Sequence, residues 1–345
     1  MNRATAVIRI ITWSAVALVA LCILLGVLLG NSFLSGIIGE REASEMSGDA
    51  TVLTDASYSP DGIHSVFIQG RSENVHILPS ADGQFRVYET FRRVGFGGDP
   101  EPVSVSVENG VFSVGKSSRG GIWVMFGWTE HKIDIYVPQT HWTKFTAKLS
   151  SGNMTAGTLT ADDITLECTS GNLEMNALDA TNTLDAHITS GKITLNDAQS
   201  READIRASSG LITLDTLNAD TLNVEVSSGI ISGRRIDAGV LTTRTSSGSI
   251  KLEGSFSDIT SRVTSGISDI ESAVTPQSLS GDVTSGSLTF RLPEDSVFSL
   301  DYRLTSGSIR SEFGHQISGR SGQAGREGPV YNAEIASGSL KFAER

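Results

Sequence analysis

Residues 164–175 read ITLECTSGNLEM, and the same pattern returns as LDAHITSGKITL at 184–195 and as LNVEVSSGIISG at 222–233. In each stretch, apolar and polar residues alternate on both sides of a Ser-Gly dipeptide, a pattern typical of two strands joined by a sharp corner. The glycines of ten such dipeptides follow one another along the chain: Gly152, Gly171, Gly191, Gly210, Gly229, Gly248, Gly266, Gly286, Gly307 and Gly338. Their spacing of 18 to 21 residues, apart from a last step of 31, predicts one repeated supersecondary unit.

Two columns of residues flank these Ser-Gly corners, and both are almost wholly apolar. The first column stands two places before each serine: Leu149, Cys168, Ile188, Ala207, Val226, Thr245, Val263, Val283, Leu304 and Ile335. The second column stands two places after each glycine: Met154, Leu173, Ile193, Ile212, Ile231, Ile250, Ser268, Leu288, Ile309 and Leu340. Because strand side chains alternate between faces, both columns are predicted to point into one core, whereas Glu167, Arg206 and Lys251 predict a solvated outer face.

The repeat predicts an all-β fold, a parallel β-solenoid of about ten 19-residue rungs. Such a rung has room for two short strands and two corners, and turn-forming residues mark the second corner at Asp179-Ala180, Ala219-Asp220 and Asp237-Ala238. We expect the corner glycines to adopt positive φ. The corner serines are expected to face inward as a ladder that satisfies backbone groups. Leucine-rich repeats and propeller blades fit neither the motif nor the period.

Composition and charge narrow the function classes. The 345-residue chain is only 6% aromatic and contains 36 glycines, which favours a thin solenoid over a globular enzyme. A formal net charge of −12 disfavours nucleic acid as a partner.

An apolar stretch at residues 10–38 predicts one transmembrane helix, because its first 21 positions carry no charge. Arg3 and Arg9 precede it, and acidic residues dominate directly after it, so residues 1–9 are predicted to be cytoplasmic and the remainder extracytoplasmic. A cleaved signal peptide fits less well, since its apolar core would be shorter and would end in a small-residue cleavage site.

The part of the chain after the predicted membrane helix divides into three by composition. Residues 39–57 are small, polar and acidic and predict a flexible stalk. Residues 58–138 are rich in strands but break the period, which is typical of an N-terminal β cap over the first rung of the solenoid at 139–345. Residues 313–330 are rich in Gly and Ser and predict a mobile loop before the last strand.

The search for chemistry predicts no catalytic residue, no cofactor and no metal ion. The histidines at positions 64, 76, 131, 141, 187 and 315 are scattered, and none has a second ligand at metal-binding spacing. No nucleophile elbow, zinc-protease or phosphate-binding motif occurs. Cys168 is the only cysteine after the membrane segment, so no intrachain disulfide is expected there.

One aromatic stretch is a candidate partner-docking site. Trp123, Phe126 and Trp128 lie within IWVMFGW at residues 122–128. On an exposed hairpin they would form a docking patch or a tip that touches a membrane. The interpretation we favour is a hydrophobic cap strand that covers the first rung.

The stretch KIDIYVPQTHWTKFTAKLSSGNMTAG at 132–157, the recurring Ser-Gly rungs, and the ending SLTFRLPEDSVFSLDYRLTSGSIRSEF at 287–313 carry a resemblance. From about Tyr58 to Arg345 the chain resembles the bacterial β-strand-repeat domains of unknown function called toastrack, which are labelled adhesins. The resemblance implies a single-stranded β-solenoid on the outer face of the cell envelope, in some cases within envelope stress regulators, and implies no catalytic residues.

We therefore expect a non-enzymatic ectodomain, anchored in the membrane by a single pass, that binds an envelope protein or polysaccharide for adhesion or for sensing the envelope. One alternative is a carbohydrate-active enzyme, which needs two carboxylates within about 5 to 10 Å in a groove. Another is a rod that polymerises end to end, against which the cap and the C-terminal insertion argue. The sequence leaves the oligomeric state open.

Overall fold

The computed structural model describes residues 50–96, 101–115, 126–325 and 327–345, with backbone alone for 93–96 and 126–129. Residues 50–345 form one compact unit. The predicted transmembrane helix at 10–38 and the cytoplasmic tail lie outside the described residues. In the part that is described, no helix has the length and apolar character needed to cross a bilayer.

The described residues form twenty-two β-strands and no α-helix, so the all-β prediction is confirmed. The strands, in chain order, are β1 Thr51–Tyr58, β2 Ser65–Gly70, β3 Asn74–Pro79, β4 Phe85–Phe96, β5 Ser104–Glu108, β6 Val111–Gly115, β7 Phe126–Val137, β8 His141–Leu149, β9 Asn153–Cys168, β10 Asn172–Ile188, β11 Lys192–Ala207, β12 Leu211–Val226, β13 Ile230–Thr245, β14 Ser249–Val263, β15 Ile267–Ser272, β16 Ser278–Val283, β17 Ser287–Leu292, β18 Ser299–Leu304, β19 Ser308–Ser311, β20 Ser321–Ala324, β21 Val330–Ile335 and β22 Ser339–Glu344.

Strands β9 to β14 are the regular part of the solenoid, and each one forms a rung. Neighbouring rungs pair in parallel, so that Leu173 stands beside Ile193 and Ile193 beside Ile212. Both predicted columns are buried throughout, except that Leu304 is half-buried. The apolar ladders and the parallel pairing are therefore confirmed.

Each regular rung has three inward-facing segments rather than the two predicted. In β9 the buried residues are Met154 and Ala156, then Leu159 and Ala161, then Ile164, Leu166 and Cys168. A gap of three residues keeps both flanking side chains inward only if the strand bends. The bend after residue 161 corresponds to the predicted second corner. The bend at Gly157-Thr158 was not predicted, although turn-forming residues occupy its first position in four successive rungs, namely Gly157, Asn176, Asn196 and Asp215.

The corner serines face solvent, so the predicted inward serine ladder is wrong. Ser190 and Ser209 are exposed, as are the other serines of the ten dipeptides. The backbone at the corner already has partners in the neighbouring rung, since the Ser190 amide donates to the Thr169 carbonyl at 2.7 Å. The hydroxyl groups are therefore not needed to satisfy it.

The corner glycines are required mainly by close approach rather than by positive φ. Among the ten, only Gly152 and Gly191 have positive φ, at 81° and 77°. A Cβ added at Gly171 would stand 2.7 Å from the Gly152 carbonyl oxygen, and one at Gly229 would collide with the carbonyl oxygen of Gly210. Successive corners are thus stacked too closely to admit a side chain.

The solenoid begins earlier than predicted, within the segment assigned to the cap. Strands β2 and β3 form a rung, because β2 pairs in parallel with β8 and β3 pairs in parallel with β9. On their other side, β2 pairs with β6 and β3 with β7. Residues 51–57, predicted as stalk, instead form most of β1, which pairs antiparallel with β4.

The C-terminal end is interleaved in the same way. Strand β21 lies between β16 and β18, and β22 lies between β17 and β19. The last two strands in sequence, β21 and β22, therefore form the second-to-last layer of the solenoid, and β18 and β19 form the last layer. Residues 313–330 carry the chain back to this gap and include β20, which pairs antiparallel with β18, so the prediction of a mobile loop does not describe this segment.

Aromatic side chains cover the aliphatic core at both ends. At the N-terminal end, Phe85 stacks on Phe112 at 4.0 Å between centroids and lies 5.3 Å from Trp142. At the C-terminal end, Phe298 stacks on Tyr331 at 4.6 Å. No aromatic residue occurs between Phe145 and Phe256, where rungs cover one another and rings are not needed to close the core.

Candidate docking site at the N-terminal end

Two of the three predicted docking residues, Phe126 and Trp128, fall at the N-terminal end of the solenoid. Trp123 lies outside the described residues. Phe126 and Trp128 belong to β7, where they stand opposite Phe96 and Val94 of the antiparallel strand β4. The structure thus places four apolar positions next to one another in two paired strands.

These positions lie on a two-stranded ribbon, formed by residues 92–96 and 126–130, that extends beyond its neighbours. The pairing of β1 with β4 ends at Phe91, and the pairing of β3 with β7 begins at Lys132. In the described residues, the ribbon therefore has no third strand on either side. It is called the N-terminal ribbon below.

Strand alternation assigns the positions of the ribbon to two faces. Positions 94, 96, 126 and 128 share the face of Arg92 and Glu130, whose side chains are exposed and 4.0 Å apart. The opposite face continues to Phe91 and to Val87, which are buried. The aromatic positions of the ribbon are thus in register with the outer surface of the sheet.

A buried polar network holds the base of the ribbon. The side chain of Glu89 is inaccessible to solvent, and its Oε1 accepts a hydrogen bond of 2.7 Å from His131 Nε2. Its Oε2 accepts hydrogen bonds from Thr54 Oγ1 at 2.7 Å and from the Val103 amide at 2.9 Å. This one carboxylate therefore joins β1, β4, β7 and the segment before β5. Sequence analysis missed it because its partners are distant in the chain.

The electrostatics of this network favour an ionised carboxylate. Burial acts to raise the pKa of Glu89, but the hydrogen bonds from His131, Val103 and Thr54 outweigh it and leave the pKa below its usual value. Glu73 lies on the other side of the imidazole, with its Oε1 3.9 Å from His131 Nδ1. Its Oε2 accepts the amides of Arg71 and Ser72 at 2.7 and 2.8 Å, which fixes the corner between β2 and β3.

The outer surface beside the ribbon is polar and partly aromatic. Arg86 forms two hydrogen bonds with Asp55, at 2.9 and 3.0 Å, and its guanidinium lies 5.7 Å from the centroid of the Tyr88 ring. On the next strands, Asp134 contacts both His76 and Lys132 at 2.8 Å. This surface offers charges of both signs together with one aromatic ring, a mixture found at protein–protein interfaces.

In the rest of the described chain, few side chains that could catalyse a reaction or bind a metal ion lie close together. No group of three or more His, Cys, Asp or Glu side chains there could hold a metal ion. A cavity of about 240 Å³ is lined by residues 137–142 and 158–160, and His141 at its rim contacts Asp162 at 2.8 Å. Asp162 and Asp163 point to different partners, since Asp163 accepts a hydrogen bond from Thr183 at 2.7 Å.

Among the pairs of carboxylates that stand opposite one another on adjacent strands, one contains a group with a raised pKa. Asp185 and Asp204 are register partners on adjacent rungs. Arg206 contacts Asp204, and its Nη1 lies 3.9 Å from Asp185 Oδ1. The pKa of Asp204 is raised, first because the group is partly buried, although the charge of Arg206 opposes the shift. A raised pKa beside a second carboxylate is the pattern of an acid and base pair, but the pair lies on the outward side of the strands.

Comparison with known proteins gives a family. Residues 63–278 match the family described as Toastrack DUF4097. Among solved structures, a "putative adhesin" from Parabacteroides distasonis ATCC 8503 is 14% identical, with a TM-score of 0.46, over 86% of this chain and 98% of that chain. A "putative lipid binding protein" from the same organism is 12% identical, with a TM-score of 0.47, over 86% and 97%. No curated protein matches the chain.

Proposed function

We propose, on the premise that the chain belongs to the Toastrack DUF4097 family, that it is a non-enzymatic ectodomain anchored in the cell membrane. In this proposal residues 10–38 cross the membrane once, and the solenoid stands outside the cytoplasm. There it binds an envelope protein or polysaccharide, either for adhesion or for sensing the state of the envelope.

One observation supports this proposal above the others, namely that the chain enters the solenoid at one end. The first strand, β1, is an edge strand that pairs only with β4 among the described strands. From there the rungs follow one another away from the point of entry. A chain tethered at residue 50 would therefore present the sides of the solenoid to a partner.

The outward columns of the rungs offer a polar binding surface. Lys148 pairs with Glu167 at 2.8 Å across adjacent rungs, and Arg262 pairs with Asp282 at 3.0 Å. Arg244 lies in the same outward column and is exposed. Such a surface suits a hydrated, charged partner more than an apolar one.

Binding to envelope material tests the proposal. The full chain in lipid nanodiscs should retain envelope fragments, and digestion of the fragments with protease or with polysaccharide hydrolase should show which class is bound. Arg244→Glu should weaken retention, while Thr213→Glu, on a different outward segment, serves as the matched control. If both variants retain envelope fragments equally well, the outward column that contains Arg244 is not the binding surface.

Location is tested separately with a reporter that is active only outside the cytoplasm. Fused after Arg345, the reporter should be active. Activity of a cytoplasmic reporter at the same place would overturn the proposed orientation.

The carboxylate pair described above favours a second candidate, a carbohydrate-active enzyme. If Asp185 and Asp204 act on a glycosidic bond, Asp204→Asn should abolish hydrolysis of envelope polysaccharide. Asp282→Asn, which changes an outward carboxylate paired with Arg262, is the control. If the unaltered chain hydrolyses no envelope polysaccharide, the enzymatic candidate fails and the binding proposal stands.

The polymerising rod is opposed by the ends of the solenoid. Strand β5 pairs antiparallel with β6 at one end, and β20 pairs antiparallel with β18 at the other. Short antiparallel strands interrupt the parallel stacking that a second copy would need to continue.

A further inference from the structure

We propose that the cavity lined by residues 137–142 and 158–160 binds one neutral sugar unit of an envelope polysaccharide. The inference rests on the proposed binding function and adds to it a site and a chemical class of ligand. The observation that carries it is an open strand edge in the cavity, which lies between an apolar floor and a rim of uncharged polar side chains.

Strand β9 leaves part of one edge unpaired at this cavity. Towards the N-terminal end of the solenoid, β9 pairs with β3 as far as Ala156 and with β8 from Thr160 onward. Among the described strands, none pairs with residues 157–159 on this side, although Thr158 and Leu159 both pair with β10 on the other side. Backbone amide and carbonyl groups along this edge are therefore available to a ligand.

The gap beside this edge follows from the local sequence. Strand β7 ends at Val137, and the Thr140 amide donates to the Pro138 carbonyl at 3.0 Å, which turns the chain before β8 begins at His141. Proline carries no amide hydrogen and so cannot continue a ladder of hydrogen bonds. The layer before β9 thus covers only the second half of its middle segment, and the cavity occupies the place of the first half.

The lining of the cavity is apolar at its floor and polar at its rim. The floor consists of buried residues, namely Val137, Pro138, Trp142 and Leu159. The rim consists of exposed or half-buried residues, namely Gln139, Thr140, His141, Thr158 and Thr160. A sugar ring has apolar C–H faces and hydroxyl groups around its edge, so it is complementary to both parts of this lining.

The charges at the cavity favour a neutral ligand. None of its lining residues, all of which lie in the described part of the chain, is Lys, Arg, Asp or Glu. His141 is held from outside the cavity, because its Nε2 lies 2.8 Å from Oδ1 of Asp162. A charged ligand would lose water here without gaining an opposite charge, which is unfavourable.

The dimensions of the site suit one unit of a longer polymer. Its volume of about 240 Å³ is smaller than the pockets of about 300 to 1,000 Å³ that hold drug-sized molecules. Next to the cavity, a Cβ added at Gly157 would meet nothing within 4 Å, so the polymer has room to continue past this residue. A peptide that adds a strand to a sheet needs a longer free edge than residues 157–159 provide, which disfavours a polypeptide ligand.

Fluorescence of Trp142, which lines the cavity, tests the inference. The full chain in nanodiscs that carries Trp13→Phe, Trp123→Phe and Trp128→Phe retains Trp142 as its single tryptophan. We expect its emission to change saturably with glucose or N-acetylglucosamine, with a Kd of about 1 to 10 mM because ligands of this size bind weakly. Glucuronate and glucosamine, which carry charge, should bind about tenfold more weakly. Titration calorimetry of the unaltered chain with the same sugars detects binding to which the indole does not respond.

A pair of double variants with equal composition locates the site. Thr140→Arg combined with Thr158→Arg places two long side chains at the rim and should abolish sugar binding. Thr143→Arg combined with Thr155→Arg is the matched control, since both threonines are exposed on β8 and β9 and neither lines the cavity. Equal melting temperatures of the two double variants show that any difference in binding does not come from unfolding.

The outcomes separate this inference from the proposed function. If neither titration detects binding of the neutral sugars, the inference is overturned, even where the chain retains envelope fragments. It is also overturned if the charged sugars bind as tightly as the neutral ones, or if both double variants bind equally well. A chain that binds neutral sugars in this cavity but retains no envelope fragments would contradict the proposed function and not the site.

Discussion

At each Ser-Gly corner, the missing side chain of glycine lets one rung approach the next. The corner amides and carbonyls pair across rungs at hydrogen-bond distance, as between the Ile230 amide and the Gly210 carbonyl at 2.9 Å. A methyl group cannot fit into this stack. The constraint therefore acts even where φ is ordinary, and alanine should be excluded as firmly as larger residues.

Gly229→Ala should destabilise the protein by about 1 to 3 kcal/mol, because the added methyl group collides with the Gly210 carbonyl. Gly157→Ala is the matched control, since a Cβ there would meet nothing within 4 Å. We expect its free energy of unfolding to stay within about 0.5 kcal/mol of the original. Urea unfolding of both variants measures the difference, and equal midpoints would refute the close-approach argument.

Thr245→Val should raise the free energy of unfolding by about 1 kcal/mol. Thr245 is 2% exposed, and its hydroxyl has no partner in an inward column where Val226 and Val263 are its neighbours. Thr243→Val provides the contrast, because Thr243 donates to Ser261 Oγ at 2.7 Å and its loss should cost about 1 kcal/mol. A Thr245→Val variant that melts earlier would mean that its hydroxyl is bonded after all.

Glu89→Gln should cost about 1.5 to 3 kcal/mol at pH 7, because hydrogen bonds to a charged, inaccessible carboxylate are lost. The folded pKa of Glu89 is depressed, so its contribution is complete above the unfolded value of about 4.3 and is lost as pH falls through the folded pKa.

The stability difference between the original chain and Glu89→Gln should accordingly shrink below about pH 4.3. Melting temperatures measured from pH 7 to pH 3 follow this change. The exposed Glu225→Gln is the control and should show no such convergence. A difference that stays constant down to pH 3 would show that Glu89 contributes packing rather than charge.

The sequence predicted which residue types stand at the corner, but it did not predict why they are needed there. The alternation around Ser-Gly correctly assigned Ile188 and Ile193 to the core. The roles of the serine and the glycine were wrong because both depend on the neighbouring rung, about 19 residues away, and not on local backbone preference. The local sequence describes a single corner, whereas the distance between stacked corners decides which side chains fit there.

At the scale of strands, the two ends of the solenoid differ from its middle. The middle rungs follow sequence order, while β2–β3 and β21–β22 are each enclosed by strands from elsewhere in the chain. A strand paired on both sides loses more contacts when it leaves than an edge strand does. Interleaving therefore protects both ends from fraying.

Deleting residues 329–345 should unfold more than the deleted strands. Among the described strands, β18 pairs only with β20 and β21, and β19 pairs only with β22, so both lose their connection to the body. Amides of β18 and β19 should then exchange with solvent within seconds to minutes, while those of β12 stay protected. Hydrogen exchange read by mass spectrometry measures this, and protected β18 amides would show that β18 can pair directly with β16.

The order of these strands could not be predicted from the sequence. The last repeat step of 31 residues was the only hint, and it equally fits a loop followed by one more rung. The third inward segment could have been predicted, because turn-forming residues stand at its bend in four successive rungs: Gly157, Asn176, Asn196 and Asp215. The order of the strands, by contrast, is decided by pairing across the sheet, and no single segment records it.

At the scale of the whole molecule, the core and the candidate site differ in how well the sequence predicted them. One pattern of apolar and polar residues recurs at ten corners, and each corner independently predicts which side chains form the core. The candidate site depends on a single stretch around Trp128, whose place on a ribbon is visible only from its pairing with Val94. Its role in docking therefore stays a prediction.

The enclosed position of β21 and β22 has a consequence for biosynthesis. A ribosome makes the chain from its N-terminus, so β18 and β19 emerge while the layer on which they rest does not yet exist. These two strands remain unpaired, or pair transiently with another strand, until residue 344 has been made. A chain that stops before β21 and β22 is thus left with unpaired strands, which proteases and chaperones recognise. Completion of the solenoid therefore depends on the described strands that are made last.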